Sequence, residues 1–255
     1  NDVVCTISKV TDDIVANVAP EVDRYYIPHA VDAEVFKKLP QTDVMNSKIS
    51  TLGSAAKDKF IFLWNNRNAR RKQSGSLIFW FKEFLDKVGH ENAALIMHTE
   101  PHDPNGQDLI RIIEHLGLDD GQILLSTEKY PPQQLAMMYN IADCTVNISD
   151  AEGFGLATLE SLACKTPIIA TMTGGLQEQV TNGEEWFGIG LEPASKAIIG
   201  SQEIPWIYED RLNGDDVVEA LVQMFNMTTE EREHMAERGY QHVKMNYNFE
   251  NFERT

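Results

Sequence analysis

Positive charge is scarce in this chain. It has 22 lysines and arginines against 39 aspartates and glutamates, a formal net charge of -17 over 255 residues. A phosphate backbone demands clustered cations, so nucleic acid is excluded as a general partner, and so is a broad anionic membrane surface. Cysteine is scarce too, at Cys5, Cys144 and Cys164 only. Three cysteines do not make a disulfide framework. Cys144 and Cys164 lie in apolar contexts where buried free thiols are common, which predicts a reducing, cytoplasmic compartment, with peripheral membrane contact open for a longer protein. No apolar run approaches the roughly 20 residues of a membrane span, so no transmembrane segment is expected. No signal peptide is visible. The chain opens at Asn1 rather than methionine, and it is expected to be part of something longer. There is no internal repeat and no low-complexity tract.

What is present is a regular alternation. Apolar residues make up 42% of the chain, enough for a substantial core in one large domain or one domain plus a fragment. Residues 3–7 read as a strand and 8–17 as a helix with Ser8 as N-cap. Residues 25–28 form another short strand, and the polar stretch 40–58 reads as a surface connection. A cleaner series follows. Strands are predicted at 60–64, 93–97, 123–125, 144–148 and 167–170, with helices at 75–88, 107–116, 133–141 and 156–164 between them. Such alternation predicts a mostly parallel sheet covered on both faces, with ligands beyond the carboxyl ends of the strands. Residues 191–211 look like an excursion on the surface. Helices return at 215–227 and 229–245, with a last turn or two at 248–254.

Two stretches carry chemistry. The first is Glu152-Gly-Phe-Gly-Leu-Ala-Thr-Leu-Glu160, a glycine turn between a strand and a helix. The helix start presents free N–H groups and the positive end of the helix dipole, which suit phosphate. Flanking carboxylates are acceptors and suit sugar hydroxyls. Gly153 and Gly155 leave room for a ligand to approach the backbone. Phe154 between them reads as a packing anchor. The second stretch is Arg67-Asn-Ala-Arg-Arg-Lys72, which holds four of the 22 basic residues just after a strand. Arginine grips phosphate through its planar fork and lysine supplies a point charge. A charge run equally suits a solvated loop, and a lone glutamate pair is weak evidence, because glutamate is a good helix former.

Residues 152–180 resemble the donor-binding signature of retaining glycosyltransferases with the GT-B fold, in the family of bacterial mannosyl- and glucosyltransferases and sucrose-phosphate synthase. The match runs through Glu152, Gly153, Phe154, Gly155, Glu160, Thr166, Pro167, Gly174 and Gly175. Arg67 and Lys72 match that family's Arg-x4-Lys pair. Ile27-Pro-His-Ala-Val-Asp32 with Phe36 resembles the passage between its two domains, and Tyr247-Asn-Phe249 the start of its final helix. Three departures stand out: Gln73 where glycine is usual, His29-Ala30 for a common Asn-Gly, and the long excursion at 191–211.

The resemblance implies an α/β, Rossmann-like parallel sheet, the C-terminal half of a GT-B fold. Residues 1–20 would be a remnant of the N-terminal acceptor domain or a linker, 21–247 the nucleotide-sugar domain, and 248–255 the start of the crossover helix. It implies a UDP- or GDP-linked hexose as donor, with no metal or other cofactor. In agreement, the sequence has no Asp-x-Asp clamp; Asp12-Asp13, Asp119-Asp120 and Asp215-Asp216 are adjacent pairs that suit caps or surface. Arg67 and Lys72 would neutralise the diphosphate. N–H groups near Phe154, Gly155, Leu156 and Thr158 would bind phosphate and sugar, Glu152 the sugar hydroxyls, and Glu160 the ribose. Thr127, Glu128 and Lys129 would meet the base through their backbone. A glycan, lipid or protein acceptor would bind the missing domain, so the chain alone is expected to transfer sugar poorly or not at all. A sugar-nucleotide epimerase and a non-catalytic nucleotide-binding module are the other readings. A dinucleotide oxidoreductase fits less well, because no Gly-x-Gly-x-x-Gly follows the first strand of the main series.

Overall fold

The computed structural model describes residues 3–254. The chain opens with β1 (Val3–Thr6), α1 (Lys9–Val18) and β2 (Asp23–Tyr26). Ser8 caps α1 as expected, its hydroxyl accepting from the Thr11 N–H at 3.3 Å. β1 pairs with β2 in parallel, so this small unit runs across residue 20 and closes only at Tyr26. Glu178 ties it to the rest of the chain, accepting from the Lys9 N–H and the Tyr26 hydroxyl, both at 3.2 Å.

The stretch expected as a surface connection is a helix, α2 (Gln41–Leu52). Its inward stripe is narrow, with only Val44 and Lys48 buried. That stripe is too thin to stand out in a polar sequence, and packing against a neighbouring helix supplies the rest.

The main series then follows: β3 (Phe60–Asn65), α3 (Ser74–Val88), β4 (Ala93–His98), α4 (Leu109–Leu116), β5 (Ile123–Ser126), α5 (Pro132–Ile141), β6 (Cys144–Asn147), α6 (Leu156–Ala163), β7 (Ile168–Thr171), α7 (Gln177–Val180) and β8 (Gly188–Leu191). The six strands form one parallel sheet in the order β5-β4-β3-β6-β7-β8. This is the doubly wound Rossmann order, and the direction of winding reverses between β3 and β6. β8 went unforeseen. Its sequence, Gly-Ile-Gly-Leu, carries two glycines and little strand character, and a Cβ at Gly188 would collide with the Ile168 carbonyl of β7.

β3 shows why the sheet is buried on both faces. Phe60, Phe62 and Trp64 join the cluster under α3 and α4, while Ile61 and Leu63 join the opposite cluster with α5 and α6. Each side chain of that size contributes about 1.5–3 kcal/mol when fully buried.

The excursion is a hairpin of β9 (Ser195–Ile198) and β10 (Tyr208–Arg211), antiparallel, with Tyr208 opposite Ile198. Its tip is exposed, Trp206 at 73%. Its root is not, since Glu209 is only 4% exposed. The expectation of a wholly superficial excursion therefore holds for the tip alone. The chain closes with α8 (Gly214–Asn226), α9 (Thr229–Asn246) and α10 (Phe249–Arg254). α8 packs on α3 and α9 on α6. Thr228 and Glu231 form a capping box at the start of α9. No helix among the described residues is long and apolar enough to cross a membrane.

Candidate active site

The two stretches singled out in the sequence face each other across the reversal point. Residues 66–73 leave the carboxyl end of β3, and residues 148–155 leave that of β6, its neighbour in the sheet. The amide nitrogens of Asn66 and Asn147, one on each side, are buried and have no hydrogen-bond partner among the described residues. Buried donors are normally satisfied, so both amides have hydrogen-bonding capacity left over at the strand ends.

Lys72 and Glu152 meet there as an ion pair, both side chains largely buried. Burial pulls the Lys72 ammonium below its ordinary range, and Glu152 opposes that shift. Arg71 stands beside them, donating to the Ala151 carbonyl at 2.6 Å and lying 3.6 Å from the Glu152 carboxylate. Arg67 is placed apart. Its guanidinium is exposed and bonds Asp103, in the loop after β4, at 2.6 and 3.2 Å. The Arg67 fork holds the Asp103 carboxyl well below the usual carboxylate range.

The glycine turn is braced from beneath. Gly155 has φ +94°, a left-handed conformation in which glycine is at ease, and directly precedes α6. Gly175 donates to the Glu152 carbonyl at 3.2 Å, and a Cβ at Gly174 would fall on that same carbonyl. The glycine pair is thus needed so that residues 174–175 can lie against the turn. Gln179 donates to the carbonyls of Phe154 and Gly155 at 2.8 and 3.2 Å. The Thr158 hydroxyl, fully buried, sits 2.8 Å from the Gly155 carbonyl and 2.7 Å from the Gln179 amide oxygen. Phe154 is 3% exposed and packs edge-on against His29 and Tyr247, so its ring is an anchor. Leu156 is exposed at the first position of α6. A Cβ at Gly153 would make only an ordinary contact, 3.8 Å from Ile7. No crowding by the protein accounts for a glycine at that position.

Glu160 lies one helical turn further in. The Tyr139 hydroxyl donates to it at 2.7 Å and itself accepts from the Asn65 amide at 2.8 Å. Burial pushes the Glu160 carboxyl up to about 7, partly offset by the Tyr139 bond. Tyr139 and Asn65 had no distinguishing signal in the sequence, where tyrosine in an apolar helix reads as core. Thr127, Glu128 and Lys129 follow β5 at the sheet's edge, two strands from the crevice. Thr127 and Glu128 line a cavity of about 730 Å³ with Tyr130, Met137 and Met138.

Fold and crevice together define an α/β domain with a crevice at the switch point of a doubly wound sheet. The chain belongs to the family described as glycosyl transferases group 1, which matches residues 50–242. Among curated relatives, a D-inositol 3-phosphate glycosyltransferase of Paenarthrobacter aurescens is 29% identical over 68% of this chain and 41% of its own length. Among solved structures, the sucrose-phosphate synthase of Thermosynechococcus elongatus superposes with a TM-score of 0.76 at 20% identity, over 98% of this chain and 55% of that one. Anabaena Alr3699/HepE, solved in complex with UDP and glucose, gives 0.76 at 16% identity, over 99% and 61%. The likeness shows the GT-B type of fold. The chain spans 41% to 61% of the length of these proteins.

Proposed function

We propose that this chain is the donor-binding half of a retaining hexosyltransferase, taking a UDP- or GDP-linked sugar. The observation that carries the reading is the convergence, at one switch point, of the basic loop, the glycine turn before α6 and the two orphaned asparagine amides. The N–H groups of residues 154–158 point where an anion gains from the helix start. Lys72 and Arg71 add positive charge beside it. Arg67 joins them on leaving Asp103, which its exposure permits.

In this reading the leaving diphosphate gathers negative charge as the bond to the sugar breaks. Fixed cations and N–H dipoles stabilise that charge best where water is excluded, with no reorganisation at the moment of reaction and no metal. Glu152 accepts from sugar hydroxyls and Glu160 from the ribose. Residues 127–129 meet the base. Attack comes from the same face as departure, and the departing phosphate takes the acceptor's proton. The acceptor binds a second domain, of which β1, α1 and β2 are a part, so this chain alone binds donor and transfers sugar poorly or not at all. The buried thiols Cys144 and Cys164 fit a reducing cytoplasm.

Isothermal titration of the folded chain with UDP and with GDP tests the reading. Binding of one of them, unchanged by a chelator, is expected. No heat from either overturns it.

A further inference from the structure

We infer that the hairpin β9–β10 is a positioning clamp for the basic loop, and that Glu209 is its principal positioning residue. The inference rests on the donor-binding reading for its consequence, but its geometry stands alone.

Glu209 is buried at the hairpin root and takes both arms of the Arg70 guanidinium, at 2.8 and 2.6 Å. Arg211, on the same strand, bonds Glu209 at 3.0 Å and reaches the buried Asp150 at 2.8 Å. Asp150 in turn accepts from the Gln73 amide at 2.6 Å. The backbones follow the same path. Asp210 N–H donates to the Asp150 carbonyl at 2.9 Å, and Asp150 N–H donates to the Arg71 carbonyl at 2.8 Å. Hairpin, glycine-turn approach and basic loop are therefore stacked in series, and Lys72 lies at the end of the stack.

Two features make this more than a surface ion network. The short turn Arg70–Lys72 has no apolar side chain to hold it, so polar ties decide where Lys72 sits. Gln73, which ends that turn, adopts a left-handed conformation at φ +57° that is costly for any residue but glycine. Its side chain offsets the cost by bonding Asp150 and Ser76, each at 2.6 Å. A residue that would otherwise be a flexible hinge is tied into the clamp. Small displacements matter at such sites, since a shift of about 1 Å can cost on the order of a hundredfold.

The test is Glu209→Gln, which keeps the shape and removes the charge. Deleting a carboxylate near an anion site would, by charge alone, tighten diphosphate binding. A clamp predicts the reverse. Two readouts are taken: amide hydrogen exchange of residues 66–73 without ligand, and titration with UDP and GDP. Exchange there is expected to quicken several-fold over the rest of the sheet, with the affinity of whichever nucleotide binds falling about tenfold. Unchanged or uniformly faster exchange overturns the clamp, as does equal or tighter nucleotide binding. If wild type binds neither nucleotide, the donor reading fails, and the exchange result still decides the clamp. If Glu209→Gln does not fold, Thr173→Val is read the same way, because it cuts another of the hairpin's ties, the Thr173–Asp210 bond at 2.6 Å.

Discussion

Glu152 and Glu160 stand eight residues apart, yet their surroundings are opposite. Glu152 has a buried lysine against it and an arginine nearby, at the end of the polar stack that includes the hairpin. Among the described residues Glu160 has no cation against it, only a tyrosine hydroxyl backed by an asparagine. The difference teaches that the two halves of the crevice are held by different physics. The Glu152 side is fixed by charge and by backbone contacts that glycine permits. The Glu160 side is fixed by burial and one neutral hydrogen-bond chain.

The largest break in this comparison comes from Lys72→Ala. It removes the nearer of the two cations beside the largely buried Glu152 carboxylate, which costs up to about 3–5 kcal/mol. Chemical denaturation checks it, and the double change Lys72→Met with Glu152→Gln should recover much of the loss. Equal stability of wild type and Lys72→Ala would show that the Glu152 side does not depend on the pair.

Glu160→Gln sharpens the other side through pH. The carboxyl is raised from 4.5 to about 7. Between those values the folded state holds more protons than the unfolded, so stability falls as pH rises from about 4.5 to about 7 and is level above. The amplitude is on the order of 3 kcal/mol. Denaturation across pH 4–8 should show this slope in wild type and a flatter profile in Glu160→Gln. Nucleotide affinity should rise with pH through the same window, because an ionised Glu160 is the better acceptor for ribose hydroxyls. A wild-type profile as flat as the variant's would remove the distinction.

Tyr139→Phe is a smaller change. It strands the Asn65 amide and Glu160, at about 1–3 kcal/mol, and moves the Glu160 transition to higher pH, since the tyrosine bond opposes the upward shift. Smallest for the fold is Arg67→Ala. The exposed pair with Asp103 should leave the unfolding midpoint where it was. Its effect belongs to ligand: nucleoside diphosphate affinity should drop about tenfold in titration, and an unchanged affinity would make Arg67 a solvated loop residue.

Much of this was readable along the chain. Strands β3 to β7 are short buried runs bounded by turn residues, and α3 to α6 carry apolar spacing, so local pattern and tertiary role agree. The elements that escaped share one property. α2, β8 and the hairpin root gain their stability from contacts made elsewhere. Two glycines give β8 no strand signal, and only its pairing with β7 makes it one. Glu209 reads as a surface charge until Arg70, 139 residues earlier, is brought against it.

Residue order by itself determined the alternation of strand and helix, the glycine turn, the basic cluster and the family signature, because each depends on neighbours within a few positions. Only the tertiary structure decided which residues share the crevice. It set Lys72 against Glu152, turned Arg67 toward Asp103, gave Glu160 a tyrosine, and folded the hairpin root onto the basic loop. Those pairings join residues 21 to 139 positions apart. The Lys72–Glu152 pairing arises because the reversal between β3 and β6 brings distant strand ends side by side, and the others because β3 lies beside β4, α5 beside α6 and the hairpin root against the basic loop, facts of winding and packing that no local stretch of sequence contains.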